Sequence, residues 1–134
     1  MTKLSDIEGI GPTYAEKLTS VGCRSQEHLL EIGGTKAGRK KVAADSGCTE
    51  KQILEWVNRA DLCRIKGVGS EYSDLLECAG VDTVPELAGR NAENLTAKMK
   101  ELNAEKKLVR VLPSEKQVTD WVAQAKKLPR AVHY

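Results

Sequence analysis

The 134-residue chain reads as an all-α protein, two tandem repeats packed as one compact helical domain over residues 1–134. Three observations predict this. A shift of 58 positions superposes Leu4 on Leu62, Ile7 on Ile65, Gly9 on Gly67, Gly11 on Gly69, Tyr14 on Tyr72, Leu18 on Leu76, Gly22 on Gly80 and Leu29 on Leu87. A shift of 65 superposes TEKQILEWVNRA, from Thr49, on SEKQVTDWVAQA, from Ser114, with six identities in twelve positions. Recurrence at glycines and core leucines marks duplicated structure, and no convincing strand pair lies between the helical patterns. Repeat one spans 1–61 and repeat two 62–134. The second contains an insertion, the seven-residue difference between the two shifts. Units of about 60 residues are marginal alone, so the two halves are expected to face a shared interior.

The elements follow in order. Leu4 and Ile7 lie on one face of a short opening helix, and Gly9-Ile10-Gly11 makes a turn. Pro12 suits the first turn of the next helix, where its missing N–H costs nothing. Gly22 stops that helix and Gly80 repeats the signal. Ser25 and Thr83 are expected to cap a third helix in each copy, carrying Leu29 and Leu87. Thr35 is expected to cap a fourth helix that ends at Gly47. The closing helices begin with capping boxes, Thr49 with Gln52 and Ser114 with Gln117. Ile53, Trp56, Val57 and Ala60 then form a stripe, repeated as Val118, Trp121, Val122, Ala125 and Leu128. That period makes both tryptophans core residues, and the matched Tyr14 and Tyr72 are expected to share a packing role. The insertion lengthens the fourth helix of repeat two, and LVRVLP, ending at Pro113, reads as an extended link.

Composition narrows the function. There are 21 basic and 19 acidic side chains, for a formal charge of +2, so any basic surface is local. Cys23, Cys48, Cys63 and Cys78 form no CxxC pair, and His28 and His133 are the only histidines; no metal or cofactor is expected. No apolar run is long enough for a membrane span and the start lacks a signal-peptide pattern. A cytoplasmic protein with mostly buried free thiols is expected; Cys23 and Cys48 follow helix-ending glycines, where partial exposure is the alternative to the core packing expected of them. Without a nucleophile elbow, HExxH or phosphate loop, an enzyme is not expected.

The stretch IEGIGPTYAEKLTSVG, from Ile7, resembles the helix-hairpin-helix motif: an apolar residue, a Gly-apolar-Gly hairpin, then a helix with alanine and leucine near its start. The LLEIGG that follows extends the likeness to the small N-terminal domains of archaeal and eukaryotic recombinases. The whole chain is similar to a bacterial family of tandem helix-hairpin-helix proteins, a domain of unknown function. The resemblance implies sequence-independent DNA binding, with hairpins entering the minor groove. Carried over by position, the implied sites are Gly9, Ile10, Gly11, Pro12 and Thr13, and more weakly Gly67, Val68, Gly69 and Ser70. Glu71, Tyr72 and Asp74 depart from the pattern in the second.

A physical argument stands beside the likeness. Glycines without Cβ let a phosphate approach the backbone, and the open amides at the following helix start point outward with the positive end of its dipole. Glu71 would repel a phosphate at the second hairpin, as Glu8 and Glu16 would less directly at the first. Lys36, Arg39, Lys40 and Lys41 are expected to form one positive helical face able to grip phosphates. Lys98, Lys100, Lys106, Lys107 and Arg110 make a looser set, and Lys126, Lys127 and Arg130 a third. The partner expected is duplex or branched DNA; the alternative is a protein-protein interaction or scaffold module.

Overall fold

Helix ends fall where sterics and capping place them. In the computed structural model, which describes residues 3–7 and 9–133, every regular element is helical. Glu8 and the Ser70 side chain lie outside the described residues. The chain divides into two units, one up to Asp61 joined by the segment from Ala131, the other Leu62–Arg130.

In the first unit a 3₁₀ turn, Leu4–Asp6, precedes α1 (Pro12–Ser20), α2 (Gln26–Gly33), α3 (Lys36–Ser46) and α4 (Glu50–Leu62). The Cys23 N–H returns to the Leu18 carbonyl and the Gly22 N–H to Thr19, both at 3.0 Å. These two bonds satisfy carbonyls that the end of α1 leaves open. Ser25 Oγ accepts from the His28 N–H at 3.1 Å and Thr35 Oγ1 from the Gly38 N–H at 3.0 Å, so α2 and α3 are capped as expected. In the capping box of α4, Thr49 Oγ1 and Gln52 Oε1 each accept the other residue's backbone N–H at 3.0 Å.

In the second unit α5 (Ser70–Cys78), α6 (Val84–Ala88), α7 (Ala92–Lys106) and α8 (Glu115–Lys127) follow. Thr83 departs from expectation. It precedes α6, but its side chain caps nothing and the hydroxyl donates to Asp82 Oδ1 at 3.4 Å; α6 has only five residues and a proline in its first turn, leaving few donors to satisfy. The insertion lengthens α7 to 15 residues against 11 in α3. After it, Asn103 clamps the link, accepting from the Val109 N–H at 2.9 Å and donating to its carbonyl at 3.1 Å.

Each unit has its own apolar cluster. Trp56, Val57, Ile53 and Ala60 are buried with Leu4, Ile7, Ile10, Leu18 and Leu29. Trp121, Val122, Val118 and Ala125 are buried with Leu62, Ile65, Val68, Leu76 and Leu87. The closing stripes, expected to face a shared interior, therefore belong to separate clusters. The physical reason is local: each tryptophan lies beneath the glycine turn of its own copy.

Candidate nucleic-acid interface

Each site is built around a glycine turn. Ile7 and Ile10 both enter the core of the first unit, which forces the chain to reverse at Gly9, and the Ile10 N–H closes on the Ile7 carbonyl at 3.0 Å. Gly9 has φ +93° and Gly67 φ +97°, a left-handed conformation that strains residues with a Cβ. Space is short as well. A Cβ on Gly9 would stand 3.5 Å from Trp56 Nε1, and one on Gly67 3.0 Å from Trp121 Nε1. Tyr14 packs on Trp56 with centroids 5.2 Å apart and planes at 52°, Tyr72 on Trp121 at 5.3 Å and 51°. Both tyrosines thus take the expected packing role. Their hydroxyls differ: Tyr14 accepts from Gln52 Nε2 at 3.1 Å, whereas Tyr72 donates to the Val111 carbonyl at 2.9 Å.

The second glycine of each turn is another matter. Gly11 has φ −83° and Gly69 φ −101°, extended values open to any residue. A Cβ at either would meet nothing within 4 Å. Each is the N-cap of the following helix, and a glycine there has no side chain to accept from the first-turn amides. Side chains of Ser25, Thr35, Thr49, Asn91 and Ser114 do so at α2, α3, α4, α7 and α8. Among the described residues, α1 and α5 are thus the helices of more than one or two turns whose N-cap residue supplies no side-chain acceptor, a property they share with the five-residue α6. Gly9, Gly11, Pro12 and Thr13 are exposed; Ile10 is buried, so only its backbone belongs to the surface, and the same holds for Val68 between exposed Gly67 and Gly69.

The expected basic patch is partly dismantled. Lys36, Lys40 and Lys41 are exposed, but Arg39 is only 5% exposed. Its Nη1 donates to the Gly33 carbonyl at 3.0 Å and Nη2 to the His133 carbonyl at 2.8 Å. Helical spacing puts Arg39 on the face of the lysines, but the carbonyls of Gly33 and His133 hold its guanidinium inward. Lys36 lines a cleft with Arg39, Glu50, Lys51 and Leu54. Lys41 lines a hollow with Val21 and Gly22, at the end of α1 opposite the glycine turn, about 13 Å along its axis at 1.5 Å per residue. Near the turn itself, Lys17 Nζ stands 5.6 Å from the Tyr14 ring centroid.

Sequence reasoning missed a cation at the second turn. Arg110 and Val111, from the link, line a cleft of about 460 Å³ with Gly67, Gly69, Glu71 and Tyr72. The bond from Tyr72 to the Val111 carbonyl holds the link there. Arg110 was grouped with the α7 lysines because the path of an insertion is set by tertiary contacts, and the Asn103 clamp was the only local clue to it.

The thiols of Cys23 and Cys48 pack in the core as expected. Cys23 and Cys48 are buried, Cys63 is half-buried and Cys78 exposed. Burial pushes the Cys23 thiol up to about 11, opposed in lesser part by a backbone hydrogen bond of Ser25, so it stays protonated at neutral pH. Among the described residues no cluster of His, Cys, Asp and Glu could hold a metal, and no helix is long and apolar enough to cross a membrane. No curated protein and no solved structure matches the chain. The profile of a family described as a domain of unknown function (DUF4332) matches residues 8–128, and the chain belongs to that family.

Proposed function

We propose that the chain is a helix-hairpin-helix module that grips the sugar-phosphate backbone of duplex or branched DNA without reading its sequence. The observation that carries this reading is the glycine at Gly11 and Gly69. Nothing inside the fold demands glycine there, and serine would cap the helix better. A missing Cβ beside uncapped helix donors suits the close approach of an external anion, and a phosphate oxygen is the anion of matching charge and acceptor geometry. The first turn contributes the backbone of Gly9, Ile10, Gly11 and Thr13, with the Pro12 ring setting the helix start. Lys36, Lys40 and Lys41 add long-range attraction from elsewhere on the unit, and Arg39 is removed from the interface. At the second turn Arg110 offsets part of the repulsion from Glu71.

Fluorescence anisotropy with a short labelled duplex tests it. Binding should weaken steeply as salt rises, because each phosphate neutralised releases counterions. Gly11→Val should lower affinity about tenfold or more, the loss expected when a charge-assisted backbone contact is blocked, with circular dichroism unchanged. No binding at low salt would end the proposal.

A second reading, a protein-interaction module, is favoured by the link. Val111 is 71% exposed and Leu112 37%, large apolar side chains side by side on the surface. A partner retained after nuclease digestion and lost in Val111→Asp would establish it.

A further inference from the structure

The first unit is finished by residues that follow the second in sequence. Val132 is 1% exposed and belongs to the apolar cluster of Leu29, Val42 and Val57. Its neighbour is held at both backbone groups: the His133 N–H donates to the Gly34 carbonyl at 2.7 Å, and the His133 carbonyl accepts from Arg39 Nη2 at 2.8 Å. The guanidinium is fixed in turn by the Gly33 carbonyl. No Cβ would fit at the two glycines, since one on Gly33 would lie 2.6 Å from Val57 Cγ2 and one on Gly34 2.6 Å from the Ala131 carbonyl oxygen. Glycine 33, glycine 34 and a buried arginine therefore shape a slot for a short extended segment.

We propose that this slot is a peptide-binding seat, and that Ala131–His133 is its resident, releasable occupant. The contacts define the ligand. A small aliphatic side chain fills the core, and the residue after it presents its N–H to the Gly34 carbonyl and its carbonyl to Arg39. Such recognition through main-chain hydrogen bonds and one pocket is the usual mode for extended peptides. A three-residue ligand binds weakly by itself. The short connection after α8 keeps it at an effective concentration on the order of millimolar, which fills the seat in cis. Seat and occupant share their apolar cluster with Ile10 and Trp56, so occupancy sets the stability of the whole first unit. The inference does not depend on what the unit binds through its glycine turn.

Hydrogen exchange on the full chain, read by mass spectrometry, is the test. In Val132→Asp the amides of residues 3–61 should exchange about tenfold or more faster, the factor for losing one buried aliphatic side chain, while those of residues 62–130 stay as they were. A blocked peptide of the sequence Arg-Ala-Val-His, added at millimolar concentration, should restore protection to the first unit. Val132→Ala should give the same selective pattern with a smaller factor. Unchanged exchange, or equal acceleration in both units in the alanine variant, overturns the proposal. So does selective acceleration that the peptide fails to reverse, which would make the segment part of the core and not a ligand for it.

Discussion

The two units set a tyrosine against a tryptophan in nearly the same geometry, 5.2 Å and 52° in one, 5.3 Å and 51° in the other, yet complete their cores by different means. The first takes in Val132 from the chain's far end and clamps it with Arg39. The second has a longer α7 and a link pinned by Asn103 and Tyr72. The two units share the glycine turn over its tryptophan, the capping box of the closing helix and the left-handed glycine that ends α1 and α5. They differ in what closes the apolar cluster around that frame.

Four experiments break or sharpen this comparison. The largest effect should come from the shared device: Trp56→Ala or Trp121→Ala should each cost about 3–5 kcal/mol. Denaturant unfolding measures the loss, and hydrogen exchange should assign it to the unit that lost its indole. A smaller loss in one unit would mean that the turn there rests on other contacts. Gly67→Ala should cost about 2 kcal/mol, and Gly9→Ala somewhat less, since both carry the left-handed penalty of about 1–2 kcal/mol but the indole is nearer at Gly67. Thermal melts compare the pair, and a reversed order would contradict the packing argument.

Binding separates the turns next. Glu71→Lys should raise duplex affinity and steepen the log–log salt dependence by about one, the signature of one added phosphate contact; an unaltered slope would leave the second turn purely structural. The smallest effect concerns the insertion. Lys107 ends α7 at φ 52° and ψ 47°, so Lys107→Gly should stabilise the second unit by about 0.5 kcal/mol, the left-handed cost relieved less the backbone entropy of glycine. A destabilised variant would show that the lysine side chain has an unrecognised role there.

Much of the local structure was legible in the sequence because its signals are local. Capping boxes, the Gly22 and Gly80 stops and the tryptophan stripes depend on residues three to five apart, and each formed where spacing indicated. Thr83 failed as a cap because α6 is short and a neighbouring carboxylate takes its hydroxyl. Arg39 was misplaced on the surface and Arg110 overlooked for a different reason. Their positions are set by partners 94 residues away along the chain in one case and by the course of an inserted link in the other, and no periodicity reports such distances. The difference between Gly9 and Gly11 was equally hidden. In the sequence they are two glycines of one turn, and only backbone angles and neighbouring atoms show that the fold needs the first and not the second.

Synthesis runs from the amino end, and domains generally fold as they emerge. Here that order is inverted for completion. The second unit has all its residues once Arg130 is made, whereas the first, translated earlier, waits for Val132 before its apolar interior can close. A chain cut off between Arg130 and Val132 would therefore leave the older half of the molecule, not the younger, with an open interior.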